Sequence, residues 1–302
     1  MFTGLSAFPL TPMTEESIDE PAFLEIVSRL HRAGVDSIGA LGSTGSYAYL
    51  TSDQRKRVAE LAVRAAEGTP VLIGIGALRT VDVLRHAEDA QNAGASAVLL
   101  APVSYQPLTE DEVYGLYADV AAELSVPLCV YDNPGTTRFT FSDELHGRIT
   151  ALPNVGSVKI PATPADPQEA RARVQNLRQQ IPNNVTIGVS GDAAGAGGLL
   201  AGCEAWYSVL GGLWPELCLE ITRAAQRGDA DEARLLSEQL APIWALFGRY
   251  GSLRVVAAIA EHMGLVGSPN LPRPLLELLG TDRAQVDEAV RSVIAGTEGA
   301  AR

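Results

Sequence analysis

An α/β fold is what this sequence predicts, specifically a (β/α)8 barrel with a C-terminal helical appendage, on three observations. Eight short apolar runs recur at intervals of roughly thirty residues. A segment of helical period follows each run. The runs are mostly continuous in hydrophobicity, as parallel strands covered on both faces require.

The runs in order are Gly4–Pro9, Ser37–Leu41, Val71–Gly76, Ala97–Ala101, Leu128–Asp132, Val155–Ile160, Thr186–Ser190 and Ala205–Val209. Between them the pattern predicts helices over Asp19–Ala33 (stopped by Gly34), after Thr51, and near Thr80–Ala93, Thr109–Leu124, Ser142–Ala151, Pro167–Gln180 and Ala193–Ala201. Thr51 and Gln54 have the spacing of a capping box. From Leu213 onward the pattern is all helical: Pro215–Arg227, Ala230–Phe247, Leu253–His262 and Asp282–Ala295. The expected division is a catalytic barrel over residues 1–212 and a barrel-closing, C-terminal helical region over 213–302. Gly74-x-Gly76 lacks the rest of a dinucleotide fingerprint, so an open nucleotide-binding sheet is disfavoured.

A formal net charge of −13 repels phosphate backbones, which argues against a nucleic-acid partner. No apolar run approaches the length of a membrane span, and MFTGLSAFPLTP does not read as a signal peptide. Cys129, Cys203 and Cys218 are widely spaced and read as reduced core residues, which predicts a cytoplasmic protein. His31, His86, His146 and His262 stand in no ligand-spaced motif, so no metal is expected.

Of 23 basic side chains only two are lysine, Lys56 and Lys159. Lys56 lies in a run of charge and reads as a solvated helix face. Lys159 lies near the C-terminal end of the sixth apolar run, where barrels carry their chemistry. Buried there, it is either salt-bridged or a neutral nucleophile, because burial lowers a lysine pKa. Three other strand ends carry polar or glycine-rich chemistry. Gly42-Ser-Thr-Gly45 offers backbone N–H groups to an anion, Tyr131 offers a phenol at the barrel mouth, and Gly191 allows close backbone approach. Asp192 reads as a cap for the helix that follows it.

Taken together and in order, Gly42-Ser-Thr-Gly45, Tyr131-x-x-Pro134, Lys159 and Ser190-Gly-Asp192 resemble the dihydrodipicolinate synthase and N-acetylneuraminate lyase family of class I, Schiff-base-forming aldolases. The resemblance runs from Gly4 to at least Gly211. It implies that Lys159 forms an imine with a 2-oxo acid, with no cofactor. Tyr131 would shuttle the proton, and Ser43 and Thr44 would grip the keto-acid carboxylate, Thr44 also linking to the tyrosine. Gly191 would contact the distal part of the substrate, and Tyr207 matches an apolar position beside the lysine while being large for it. A homotetramer is implied as well.

Four positions depart from the family pattern. Ser46 stands where glutamate is usual, and Ala193 replaces a second aspartate. Thr136 stands where the synthases place an arginine for the aldehyde's carboxylate. Ser104 aligns with a tyrosine lent by a neighbouring subunit, although Tyr105 is adjacent. The expected activity is therefore that of a lyase on a 2-oxo acid, by aldol cleavage or condensation with pyruvate, or by dehydration of a 3-deoxy-2-oxo sugar acid. Dihydrodipicolinate synthesis from pyruvate and aspartate semialdehyde ranks behind these. A non-catalytic keto-acid-binding paralogue is the alternative of another class, and a metal-dependent barrel aldolase the most distant.

Overall fold

The structure is a computed structural model that describes residues 1–14 and 16–300, with 297–300 as backbone only. Eight parallel strands close on themselves in sequence order, β1 (Gly4–Ala7), β2 (Ser37–Ala40), β3 (Val71–Gly74), β4 (Ala97–Leu100), β5 (Leu128–Tyr131), β6 (Val155–Ile160), β7 (Thr186–Ser190) and β8 (Ala205–Ser208). This is a TIM barrel, and every strand falls inside its predicted run. Closure comes from β1 pairing with β8, where Ser6 is the register partner of Tyr207.

Two apolar clusters divide the molecule. Alternate strand residues point inward, and Leu72, Leu99, Cys129, Tyr131 and Tyr207 fill the barrel with Phe2 and Phe8. The other strand faces meet the helical shell in a much larger cluster. The shell begins with α1 (Glu20–Ala33), where Asp19 caps the N-terminus, Gly34 ends the helix in the left-handed region, and Phe23, Ile26, Val27 and Leu30 form one buried stripe. In α2 (Ser52–Ala65) both bonds of the expected Thr51/Gln54 capping box are present. The ring continues through α3 (Thr80–Asn92), α4 (Glu110–Ala122), the short α5 (Pro134–Thr137), α6 (Asp143–Thr150), α7 (Pro167–Gln180) and α8 (Gly195–Leu200).

Past residue 212, α9 (Pro215–Gln226) packs on α8, β1 and α1 and so completes the outer ring. The helix expected over Ala230–Phe247 is two helices, α10 (Ala230–Gln239) and α11 (Ala241–Tyr250). Pro242 lies at the start of α11; it lacks an N–H and disfavours helical backbone before it, so the chain breaks at Leu240. Then α12 (Ser252–His262) and α13 (Gly280–Ala300) complete the chain. No helix among the described residues is long and apolar enough to cross a membrane.

Candidate active site

A cavity of about 830 Å3 opens at the C-terminal ends of the strands. Lys159, Tyr131, Ser43 and Thr44 line it, as do Gly191, Thr136 and Tyr207. Its rim includes Trp244 and Phe247 of α11, contributed from far along the chain. Tyr105 does not line it and is 90% exposed in the loop between β4 and α4.

Lys159 is only 4% exposed. Its register partners on either side are Tyr131 of β5 and Gly188 of β7. The salt bridge left open by the sequence is absent: among the described residues no carboxylate or hydrogen-bond acceptor partners its Nζ. The nitrogen lies instead over three rings, 3.9 Å from the centre of Phe8, 4.1 Å from Tyr131 and 5.4 Å from Tyr207. Burial pulls its pKa down to about 7, against weaker opposing fields from Cys129 and Asp192. A sizeable fraction of neutral amine is thus available near neutral pH.

The Tyr131 hydroxyl accepts a hydrogen bond from Asn133 Nδ2 at 2.9 Å. Burial pushes this phenol up to about 12, while the Ser43 hydroxyl and the Asn133 amide favour its ionised form. Thr44 is buried, and its hydroxyl has no protein hydrogen-bond partner among the described residues. Of the two turn hydroxyls, that of Ser43 is the one that acts on the phenol, favouring its ionised form. Leu41 and Ser46 both adopt positive φ in this turn, which is how it curls back over the strand end.

Gly191 takes φ +83, and a Cβ there would sit 3.1 Å from that of Ala162, so this wall of the cavity is backbone. Asp192 does not cap the next helix. Its carboxylate accepts from the N–H groups of Val209 and Leu210 at 3.1 and 2.8 Å, tying the end of β7 to the end of β8. Thr136 is exposed on α5 at the rim. The Tyr207 phenol turns into the barrel, where it meets Ser157 Oγ at 2.7 Å and Cys129 Sγ at 3.5 Å. Its ring, rather than its hydroxyl, faces the lysine.

Phe8 and Asn133 touch the lysine and the tyrosine, yet neither was singled out from the sequence. A phenylalanine in an apolar run reads as core, and an asparagine before proline reads as a turn. No group of three or more His, Cys, Asp or Glu side chains among the described residues is placed to hold a metal.

Comparison with known proteins agrees with the fold. A model of the dihydrodipicolinate synthetase family matches residues 1–293. A relative from Phenylobacterium zucineum, named 4-hydroxy-tetrahydrodipicolinate synthase, is 30% identical over 294 residues, covering 96% of this chain and 97% of its own. One of the same name from Alkalilimnicola ehrlichii is 29% identical, covering 96% and 98%. Among solved structures, a dihydrodipicolinate synthase from Agrobacterium tumefaciens superposes with a TM-score of 0.93 at 46% identity, covering 97% of this chain and 98% of that one. A structure described as a monomeric dihydrodipicolinate synthase variant shares the fold at 22% identity, with a TM-score of 0.87. The chain belongs to the dihydrodipicolinate synthetase family, and is a class I lyase.

Proposed function

We propose that this lyase makes or breaks a carbon–carbon bond beside a 2-oxo acid held as an imine on Lys159, with pyruvate as the donor. The observation that carries this reading is a buried amine of lowered pKa on the floor of a cavity, beside a buried phenol. The neutral amine adds to the ketone carbon and water leaves, giving an iminium. Loss of a C3 proton gives an enamine, whose C3 attacks an aldehyde; hydrolysis then frees the product and the amine. Tyr131 carries protons in these steps, Ser43 and Thr44 hold the keto-acid carboxylate, and Gly191 and Thr136 face the distal group. The iminium nitrogen is the electron sink, so the reading needs no metal or organic cofactor.

Aspartate semialdehyde is the leading acceptor. The names of the relatives support it over the sugar-acid cleavage that the residues alone ranked first. A second reading rests on the cavity itself. Lys159 is the only basic side chain among the described residues lining it, so a carboxylate on the acceptor meets no guanidinium there. A neutral, hydroxylated aldehyde, or the corresponding 3-deoxy-2-oxo sugar acid in reverse, suits those walls better. Offering pyruvate with each acceptor in turn, and each sugar acid alone, separates the two. Consumption of the semialdehyde with kcat/KM at least tenfold above the neutral acceptors supports the first reading, and the reverse order supports the second. Binding of pyruvate with no turnover of any partner leaves a keto-acid-binding protein.

A second copy of the chain is the proposed partner, in a homotetramer. Tyr49, Leu78, Val81 and Tyr105 are exposed in and around the loops after β2, β3 and β4, at the same end of the barrel. Sedimentation of the full chain as a monomer would contradict this. The cysteines at 129, 203 and 218 are buried and free, which suits a reducing cytoplasm.

A further inference from the structure

Phe8 follows β1, Tyr131 ends β5 and Tyr207 lies in β8, so three separate strands bring rings to one nitrogen. Phe8 and Tyr207 meet edge to face, with centroids 5.9 Å apart and planes at 85°. Each ring has room only because glycine stands opposite. A Cβ at Gly39 or Gly42 would come within 2.4 or 2.7 Å of the Phe8 ring, and one at Gly188 within 2.3 Å of the Tyr207 ring. The Tyr207 ring is anchored through its hydroxyl to Ser157 and Cys129. The backbone N–H of Phe8 is anchored to the Ser208 carbonyl at 2.8 Å. Two large rings held against one amine through three glycines are more than filler.

We propose that Phe8 and Tyr207, with Tyr131, form a three-sided aromatic box whose ring faces stabilise positive charge on the Lys159 nitrogen, first as the ammonium and then as the protonated imine. The imine part rests on the function proposed above. A buried cation needs a partner, and ring faces within about 6 Å of it are attractive partners in a desolvated site. Among the described residues the titratable groups facing the nitrogen form no ion pair with it, and only the weak field of Asp192 and Cys129 favours its charge. From β5 come Cys129, held in its thiol form by a pKa raised to about 11, and the neutral Tyr131. From β8 comes the neutral Tyr207, and from the end of β7 Asp192, whose oxygens are taken by two backbone N–H groups. The segment just after β1 brings Phe8, which carries no charge.

The chemistry makes the box selective. The nitrogen is positive in the ammonium and the iminium but neutral in the amine and the enamine. Ring faces therefore favour the iminium over the enamine formed from it by loss of the C3 proton, and oppose the loss of charge that burial imposes. Phe8 and Tyr207 thus tune the reacting nitrogen rather than move a proton themselves.

The test replaces Phe8 with phenylalanine carrying one, two and then three ring fluorines, which nearly preserves shape while draining charge from the ring face. Lys56 and Lys159 are the only lysines, so protein labelled with 15N-lysine gives two resolvable nitrogens. The expected result is a stepwise fall in the Lys159 titration midpoint, with Lys56 unmoved. At pH 9, where the free amine is already neutral and only the iminium carries charge, pyruvate trapped by borohydride should need rising concentrations along the same series, about tenfold more for the trifluoro protein. A flat series in the titration overturns the box. If the parent traps no pyruvate at all, the proposed function fails, and the titration series alone decides the box.

Discussion

Tyr131 and Lys159 are register partners on adjacent parallel strands, and the lysine nitrogen lies 4.1 Å from the centre of the tyrosine ring. Register partners on neighbouring strands point to the same side of the sheet, here the barrel interior. The proposed nucleophile and the phenol are thus set by strand pairing, not by a loop. The barrel holds them in place before any substrate arrives.

The buried lysine costs stability, and the cost depends on pH. Its folded pKa of about 7 lies below the ordinary value of 10.5, so the unfolded chain binds more protons between those values. Stability therefore rises with pH through that window, the penalty being full below pH 7 and gone above 10.5. Lys159→Met, which fills the same space without the amine, should abolish turnover. It should also exceed the parent in stability at pH 6 by up to about 5 kcal/mol, with the advantage shrinking toward pH 10. Urea melts of both proteins at pH 6 and pH 9 check this; an equal difference at the two pH values would contradict it.

Imine formation should follow the neutral fraction of the same amine. Its initial rate with pyruvate should climb about tenfold per pH unit up to roughly pH 7 and then level off. Borohydride quenching at short times measures the rate. A climb that continues to pH 10 would place the amine outside the buried site.

Tyr131→Phe keeps the ring over the lysine and removes the hydroxyl that Asn133 and Ser43 serve. Turnover should fall by roughly 10²–10⁴-fold, the range for loss of a general acid–base group. Pyruvate should still form an imine. Exchange of the pyruvate methyl protons into heavy water reads the step directly, and exchange at the parental rate would remove Tyr131 from it.

Thr136→Arg supplies a guanidinium that no described residue brings to the cavity rim. The ratio of kcat/KM for aspartate semialdehyde over a neutral aldehyde should rise by at least about tenfold, the value of one charge-assisted hydrogen bond. An unchanged ratio would show that the acceptor's distal group does not approach α5.

The barrel was legible because its strands are continuous apolar runs, and continuous burial on both faces is what a parallel barrel imposes. Lys159 was legible for a different reason. A chain nearly empty of lysine keeps one in an apolar strand, where an ammonium is costly. Phe8 was not legible, since its ring has room only against Gly39 and Gly42, in and after the neighbouring strand β2, and it meets the lysine only where the closed barrel brings β1 and β6 to the same interior. Trp244 and Phe247 reach the rim from α11 by tertiary packing, which no local pattern encodes. Asp192 looked like a helix cap because caps are local; its partners lie 17 and 18 residues away, across the sheet.

The most direct test is to incubate the protein with pyruvate, reduce with borohydride, weigh it and map the modified peptide. A single mass gain of one reduced pyruvate, located on Lys159 and absent from Lys159→Met, is the predicted result. No gain, or a gain located on Lys56 or the N-terminus, would contradict the assignment of Lys159 as the nucleophile.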